Sequence, residues 1–369
     1  MMQLSSHQTR LLHLGNLRLA LNRRSSSDGV SQIVKDVCGL QAQEAFSAML
    51  GIRARSSGLK ISDVENALYH DRSITHTWTM RGTLHFVATQ DLYWMLPLFG
   101  PIFIAKDRWR TAELGFDEVT LRRGVRVIRD ALSNQEPLTR QELQHELQNK
   151  GIPTEGQATV HLIYRAALEG VVVVLHHLKG KPTYALLGDR IGPPDSATRE
   201  AALRELALRY LTAYAPARVE DFAYWSGLPI KDARLGWEQI MDQTIQVEAA
   251  GQTAWILEAH KMWLEESFSS KSLVRLLPKF DTYLLGYANR DLVIDPGSAS
   301  RIHPGGGIIR SVVTIDGRVA GKWELKRRKR TLEVVIEPFQ DFSYDIKTGI
   351  EAEVADIGRF LGEETTISL

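Results

Sequence analysis

Two glutamines stand two positions apart in residues 39–46, Gly-Leu-Gln-Ala-Gln-Glu-Ala-Phe, between two predicted helices. If this junction is extended, Gln41 and Gln43 project to the same side and Ala42 points inward. An amide side chain carries both an acceptor and two donors, so such a pair can hold polar groups. On spacing alone, the preferred interpretation is structural: the two amides cap or solvate a helix junction.

A second polar segment, residues 77–85, has the sequence Thr-Trp-Thr-Met-Arg-Gly-Thr-Leu-His. Strand alternation places five polar side chains on one face: Thr77, Thr79, Arg81, Thr83 and His85. An arginine, a histidine and hydroxyls on one face can hold phosphate oxygens. A polar strand face that simply meets solvent is an equally weighted alternative.

A third segment, residues 276–290, has the sequence Leu-Leu-Pro-Lys-Phe-Asp-Thr-Tyr-Leu-Leu-Gly-Tyr-Ala-Asn-Arg. By itself it predicts a strand with tight turns and a structural role.

Several common reaction centres are missing from the sequence. It contains no Gly-x-x-x-x-Gly-Lys-Ser/Thr phosphate loop and no Gly-x-Ser-x-Gly nucleophile turn. The 11 histidines show no ligand spacing with Cys, Asp or Glu, and we interpret His176-His177, beside a predicted strand, as surface residues. Gly305–Gly307 lacks the following helix that a phosphate site needs. The sequence therefore disfavours a nucleotide-driven or metal-dependent enzyme, and we expect no metal and no cofactor.

One order of elements recurs along the chain: helices, a turn and a short strand hairpin. In residues 1–115, a helix over Ile61–Tyr69 with Ser62 as its N-cap precedes a bent pair of strands within Ile74–Val87. In residues 116–192 the predicted elements are three helices and two strands: Val119–Leu132, Arg140–Asn149, Gln157–Glu169, Val171–Leu175 and Thr183–Leu187. Three helices followed by a hairpin make a winged helix, whose third helix usually enters a DNA groove.

Residues 193–265 repeat this order, and residues 266–369 are richer in strands. The predicted third module consists of helices over Arg199–Tyr214, from Val219 and over Lys231–Met241, then strands Ile245–Val247 and Thr253–Leu257. The predicted C-terminal elements are the strands Leu273–Leu277, Tyr283–Leu285, Ile308–Ile315, Arg318–Leu325 and Thr331–Ile336, with a tight turn at Asp316-Gly317, and a closing helix, Tyr344–Leu361. The sequence thus predicts an α+β protein with three tandem winged-helix modules and a C-terminal β-rich domain, a partial barrel.

The composition, 44% hydrophobic and 24% charged, is that of a globular protein. A single cysteine, Cys38, forms no internal disulfide, and the chain shows neither a signal-peptide pattern nor an apolar run long enough to span a bilayer. We therefore expect a cytoplasmic protein without membrane contact. The net charge of +1 averages over two basic clusters, Lys326–Arg330 and a helix with Arg122, Arg123, Arg126 and Arg129. These clusters permit nucleic-acid binding without requiring it.

The three segments described first, taken in order, resemble the AlkZ-like winged-helix DNA glycosylases. The order is Leu-Gln-Ala-Gln, then Thr-Met-Arg-Gly-Thr-Leu-His, then Leu-Leu-Pro-x-Phe-Asp-x-x-Leu-Leu-Gly-Tyr-x-x-Arg. Gly307-Ile308 and residues 316–323, Asp-Gly-Arg-Val-Ala-Gly-Lys-Trp, resemble the C-terminal β segment of that family. The likeness extends from about residue 10 to residue 340 and depends on the joint order of the motifs.

This resemblance implies three winged helices and a β-rich domain shaped into a concave surface for double-stranded DNA. It also implies a catalytic Gln-apolar-Gln motif, which falls on Gln41, Ala42 and Gln43. A sister branch has Asp at the last position, so this chain is placed in the branch linked to bulky adducts, crosslinks and self-resistance to DNA-alkylating natural products. The candidate DNA contacts are Arg81, His85 and Thr79, and in the C-terminal domain Lys279, Arg290, His303 and Arg310.

The chemistry of such a site is consistent with two neutral amides. Alkylation at purine N7 or N3 makes the base cationic, so it leaves as a neutral molecule without a strong general acid. Ordinary glycoside hydrolysis needs a carboxylic acid for that step and a second carboxylate opposite it. What remains is to position a water and to stabilise an oxocarbenium-like sugar. We hypothesise that Gln43 orients the water and that Gln41 binds the deoxyribose or supports Gln43.

The sequence therefore predicts a monofunctional DNA glycosylase that acts as a monomer on double-stranded DNA carrying alkylated purines, in the cytoplasm and associated with the nucleoid. The alternative is a non-catalytic winged-helix DNA-binding protein or transcription regulator, since the modules alone fit that function equally well. A regulator would prefer one operator sequence, whereas a glycosylase would leave alkali-labile abasic sites in alkylated DNA.

Overall fold

The computed structural model describes residues 2–133, 136–175, 181–188, 198–260, 272–329 and 331–369. Within them the chain has a mixed α+β fold. The described α-helices are α1 (Ser6–Asn16), α2 (Val30–Asp36), α3 (Ala45–Ala54), α4 (Ile61–Tyr69), α5 (Leu92–Glu113), α6 (Glu118–Ser133), α7 (Arg140–Asn149), α8 (Ala158–Leu168), α9 (Arg199–Tyr214), α10 (Val219–Ser226), α11 (Ile230–Glu238), α12 (Thr282–Leu285), α13 (Ala299–Ile302) and α14 (Tyr344–Leu361).

The strands are short except in the C-terminal part of the chain. They are β1 (Met2–Leu4), β2 (Arg24–Ser25), β3 (Leu40–Gln41), β4 (Ser56–Ser57), β5 (Ile74–Trp78), β6 (Leu84–Ala88), β7 (Leu138–Thr139), β8 (Val172–Leu175), β9 (Thr183–Leu186), β10 (Thr244–Ala249), β11 (Gln252–Leu257), β12 (Val274–Leu277), β13 (Val312–Ile315), β14 (Arg318–Arg327), β15 (Leu332–Pro338) and β16 (Thr365–Ser368).

The chain divides into two compact units. Unit 1 combines Met1–Glu65 with Leu203–Leu369, and unit 2 is Asn66–Ala202. Unit 1 therefore contains both the Gln-Ala-Gln segment and the strand-rich C-terminal part. The division into four consecutive domains, 1–115, 116–192, 193–265 and 266–369, stays a prediction.

The larger sheet of unit 1 is built from the C-terminal strands in the order β12-β13-β14-β15-β16, an open half-barrel. Neighbouring strands are antiparallel except β15 and β16, which are parallel. The predicted Asp316-Gly317 turn joins β13 to β14, with φ of 49° and 76°, as a two-residue hairpin of this kind requires. Helix α14 packs on this sheet, where a Cβ on its Gly349 would lie 2.7 Å from Val274 of β12.

A smaller sheet of unit 1 joins the N-terminus to the predicted third module. The strands β10 and β11 form an antiparallel hairpin, and β1 adds to β10 in parallel, pairing Met2 with Val247. Sequence patterns predict the hairpin but not the N-terminal strand, because that pairing depends on residues more than 200 positions away.

Unit 2 contains a sheet of β6-β5-β8-β9-β7 with helices α5 to α8. Its core is formed by apolar residues of the helices and of β8, including Leu121, Ile128, Leu143 and Leu162. The predicted capping box begins α7: Thr139 Oγ1 accepts from the backbone N–H of Glu142, whose carboxylate accepts from the N–H of Thr139.

The structure corrects three details of the predicted elements. Tyr283–Leu285 is not a strand, because Asp281 caps the short helix α12 by accepting from the backbone N–H of Tyr283. Ser62 is not an N-cap, since α4 already begins at Ile61. The strand predicted from Ile308 begins only at Val312. His176-His177 and the first residues of the turn Lys179–Pro182 lie outside the described residues.

Candidate active site

A tight backbone turn delivers the Gln-Ala-Gln segment from α2 to α3. After α2 ends, Cys38 and Gly39 adopt φ of 53° and 99° and lead into β3. The hydroxyl of buried Tyr214 donates to the carbonyl of Val37 at 3.1 Å, which holds the start of the turn. Because a side chain disfavours a φ of 99°, glycine at position 39 suits this path.

Burial distinguishes the two glutamines. Ala42 is fully buried, as predicted, and Gln41 is 9% exposed. Gln43 is exposed. The arrangement therefore offers one accessible amide, at position 43, next to a second that is largely enclosed by protein.

An open cleft of about 630 Å³ in unit 1 begins at the residue after Gln43. Glu44 contributes to its wall, and Lys279 lies opposite with its Nζ 3.0 Å from Glu44 Oε1 and 3.2 Å from Oε2. Ser47 Oγ donates to Glu44 Oε2 at 3.3 Å. The structure thus brings the candidate Lys279 to the side of the Gln-Ala-Gln segment, and it also shows that Lys279 is ion-paired.

Two further cations line the cleft. Lys322 pairs with Glu337 at 2.9 Å, and the pKa of Glu337 is lowered by Arg301 first and by Lys322 second. The candidate Arg310 is exposed and has no carboxylate partner within the part of the chain that the structure describes.

The other C-terminal candidates do not line this cleft. Arg290 donates from Nε to the carbonyl of Leu284 at 2.6 Å and reaches the hydroxyl of Tyr224. His303 is partly buried, and burial lowers its pKa. Its Nε2 has no hydrogen-bond partner among the described residues. A direct DNA contact by Arg290 or His303 stays a prediction.

In unit 2, residues 77–85 do not form one continuous strand. Between β5 and β6 a 3-10 turn covers Met80–Gly82, where Arg81 has φ of 56°, so the shared polar face predicted for this segment is wrong. Gly82 packs closely, since a Cβ there would lie 2.5 Å from the hydroxyl of Tyr164. Because of this turn, the side chains of residues 77–85 do not alternate between two faces as they would in a continuous strand.

Burial also separates the three candidates of this segment. Thr79 is 0% and His85 2% exposed, whereas Arg81 is partly exposed. Burial, and next the charge of Arg81, lower the pKa of His85 to about 3, and its Nδ1 donates to the carbonyl of Thr83 at 2.9 Å. Direct phosphate contact by Thr79 and His85 does not fit this burial. Arg81 remains the predicted phosphate contact of this segment.

Neighbouring carboxylates pair with three residues of the first predicted basic cluster and with one arginine of the second. In the run that starts at Lys326, three ion pairs are found: Lys326–Glu324, Arg327–Glu363 and Arg328–Glu333. Arg330 lies outside the described residues. On α6, Arg122 pairs with Glu118. Arg123, Arg126 and Arg129 of α6 are exposed and form no ion pair among the described residues, so only the first cluster is largely neutralised.

Glu44, Lys322 and Tyr214 also belong to this neighbourhood, although they are not among the site residues predicted from the sequence. Glu44 lies in the segment 39–46 and Lys322 in the segment 316–323, so their positions in these motifs are the signal that the sequence offers. Tyr214 had none, because its contact with Val37 joins residues 177 positions apart. The described residues contain no group of three or more His, Cys, Asp or Glu suited to a metal ion, and none of the helices described is long and apolar enough to cross a membrane.

The chain is similar to known proteins in sequence and in fold. A glycosylase named "Interstrand DNA cross-link repair glycosylase", from Streptomyces sahachiroi, is 28% identical over 348 residues, covering 90% of this chain and 91% of the relative. The solved structure of Streptomyces sahachiroi DNA glycosylase AlkZ superposes with a TM-score of 0.81 at 25% identity and covers 100% of both chains. The model of the family "DNA glycosylase AlkZ-like" matches residues 34–360. This chain belongs to the AlkZ-like DNA glycosylase family.

Proposed function

We propose that this DNA glycosylase hydrolyses the N-glycosidic bond of purines alkylated at N7 or N3, including bulky and crosslinked ones, and leaves an abasic site. The observation that carries the proposal is the pair of amides at positions 41 and 43, one enclosed and one exposed, directly before Glu44, which lines an open cleft. The enzymatic assignment replaces the alternative of a non-catalytic regulator, because the family is one of glycosylases.

The proposed division of labour follows from exposure. Gln43 is accessible, so its carbonyl oxygen accepts a hydrogen bond from the attacking water. Gln41 is largely enclosed, and it supports Gln43 or contacts the deoxyribose. An amide is a weak proton acceptor, so it assists the departure only of a nucleobase that is already cationic. This weakness supplies selectivity against undamaged nucleotides.

The size and openness of the cleft support bulky lesions. A space of about 630 Å³ beside the motif accepts more than one planar base, so large adducts need not be excluded. The relative from Streptomyces sahachiroi is named for interstrand DNA cross-link repair, which supports extending the substrate class to crosslinks.

DNA binding is proposed to use the three winged-helix modules, with the protein acting as a monomer at the nucleoid. The support is the order of elements: α6, β7, α7, α8, β8 and β9 follow the winged-helix order, and α9 to α11 precede the β10–β11 hairpin. Arg81, partly exposed in its turn, is the proposed phosphate contact of unit 2.

The test is excision from duplexes that carry one N7-methylguanine, one bulky N7 adduct or one crosslink, followed by alkali cleavage. Gln43→Ala is expected to lower single-turnover excision by about 10²–10⁴-fold, the range for a residue that assists proton transfer. Gln252→Ala, which truncates another exposed glutamine of unit 1, is the matched control and keeps the rate. Full excision by both Gln41→Ala and Gln43→Ala would overturn the assignment.

A further inference from the structure

The cleft beside the Gln-Ala-Gln segment has walls that carry equal numbers of acidic and basic side chains. The basic ones are Lys279, Lys322 and Arg310, and the acidic ones are Glu44, Glu324 and Glu337. A groove for the DNA backbone is normally positive, because it must neutralise phosphates. The formal charges on these walls therefore sum to zero in the free protein.

The Glu44–Lys279 pair is exposed on both sides. The side chain of Lys279 is 46% exposed and that of Glu44 is 48% exposed. Exposed ion pairs contribute little to stability, so a stronger anion that reaches the lysine can replace the glutamate. A DNA phosphate is such an anion, and it gains further from the release of its counterions.

The backbone that carries Lys279 is held from both sides. It follows β12, in which all four residues are buried, and it precedes Phe280, whose φ is 59°. Asp281, two residues on, is locked in a buried pair with Arg55. The backbone of Lys279 is thus fixed while its ammonium group is held only by an exposed ion pair, so the side chain can change partners without a change of fold.

Arg310 supplies a cation that is already available. It lines the same cleft and is exposed, without a carboxylate partner among the residues described. A phosphate can bind there before any ion pair opens. Arg310 and Lys279 then differ in one respect that an experiment can detect: only Lys279 has to leave a partner.

We propose that the cleft is a phosphate-binding groove in which Arg310 binds one backbone phosphate of the duplex and Lys279 exchanges Glu44 for another. Because Glu44 follows Gln43 directly, the exchange fixes the DNA backbone next to the accessible amide. This inference rests on the proposed function and adds to it the residues that place the damaged strand.

The experiment measures the affinity for an undamaged duplex against salt concentration, so it does not depend on excision. Each phosphate contact adds about 0.9 to the slope of log K against log salt. We expect Lys279→Gln and Arg310→Gln each to lower the slope by about one unit. Glu44→Gln is expected to keep the wild-type slope, because Lys279 binds phosphate with or without the carboxylate.

Affinity gives the second readout. Glu44→Gln removes the competing partner and is expected to bind about two- to fivefold more tightly, the range for loss of an exposed ion pair. Glu363→Gln is the matched control, since it removes the same charge from the Arg327 pair outside the cleft. It is expected to bind less tightly than Glu44→Gln.

Two results overturn the inference. If Glu44→Gln has a steeper slope than the wild type, Lys279 stays with Glu44 in the natural complex. If Lys279→Gln keeps the wild-type slope, Lys279 does not reach phosphate. Excision from N7-methylguanine duplexes by the wild type is scored separately, so failure of the exchange and failure of the proposed function give different results.

Discussion

Arg55 and Asp281 form a doubly hydrogen-bonded ion pair in which neither side chain is exposed. The two guanidinium nitrogens donate to the two carboxylate oxygens, each at 2.8 Å. Arg55 caps the end of α3, the helix that follows the Gln-Ala-Gln segment, and Asp281 caps α12 in the third motif segment. The pair therefore ties the candidate catalytic segment to the residues that carry Lys279.

Removal of one partner of this pair should be costly. Asp281→Ala leaves the buried guanidinium of Arg55 without its carboxylate, and we expect a loss of about 3–5 kcal/mol in the free energy of unfolding. Glu113→Ala, which breaks the exposed Arg110–Glu113 pair, is the control and should cost at most about 1 kcal/mol. Urea denaturation of both variants checks this. Equal losses would show that Arg55 finds another partner.

The Arg55–Asp281 pair also explains why one element of the fold could not be predicted from the sequence. Local signals located helices with their caps, as at Thr139 and Glu142, because both residues of a capping box lie within one turn. For Thr282–Leu285 the β-favouring residue types predict a strand, whereas the structure has a helix capped by Asp281. Asp281 is held by Arg55, which lies 226 positions away in the chain.

In the candidate site, too, local patterns predict some features and distant contacts determine others. Gln41, Gln43 and Lys279 lie in the sequence motifs, whereas Arg310 is predicted only as a DNA contact of the C-terminal domain. The structure places Lys279 and Arg310 in one cleft beside Glu44. The ion pair of Lys279 with Glu44 joins residues 235 positions apart, and nothing local announces it. In residues 77–85, the residue types predict a strand with alternating polar side chains, but the positive φ of Arg81 interrupts that strand.

Gly39 should matter both for stability and for excision. Its φ of 99° is unfavourable for a residue with a side chain, so Gly39→Ala is expected to lower stability by about 1–3 kcal/mol. Because Gly39 leads directly into β3, the same change should displace Gln41 and slow excision. Gly58→Ala, at φ of 88°, is the control: its stability should fall similarly while excision is retained. Thermal unfolding and single-turnover excision separate the two effects.

Acid should destabilise the protein through His13. This residue is 2% exposed, and burial lowers its pKa to about 4, although its Nε2 donates to the carbonyl of Pro216 at 3.0 Å. The unfolded chain therefore binds more protons than the folded one between about pH 6.5 and pH 4. Stability is full above this window and falls as the pH drops through it, by about 1–2 kcal/mol between pH 7 and pH 5.

The contribution of His13 is isolated by substitution. The free energy of unfolding, measured by urea denaturation, should fall less between pH 7 and pH 5 in His13→Gln than in the wild type. His7→Gln, at an exposed histidine of the same helix, is expected to keep the wild-type difference. If the two variants show the same pH dependence, the acid sensitivity arises from other groups.

Arg81 should contribute one phosphate contact from unit 2. Arg81→Ala is expected to lower the slope of log K against log salt by about 0.9, and Arg81→Lys should keep the slope because the charge remains. Filter binding or anisotropy with an undamaged duplex at several salt concentrations measures it. An unchanged slope in Arg81→Ala would assign this arginine to the fold of the turn alone.

Substitution of each of the two glutamines should affect stability and excision to different extents. Gln43 is exposed, so Gln43→Ala is expected to change the free energy of unfolding by less than about 0.5 kcal/mol while excision is lost. Gln41 is 9% exposed, and Gln41→Ala should cost about 1 kcal/mol as well as activity, since a buried polar group loses its contacts. Urea denaturation beside single-turnover excision distinguishes the roles. If Gln43→Ala were the less stable variant, the accessible amide would have to be a structural group, and the water-orienting role would pass to Gln41.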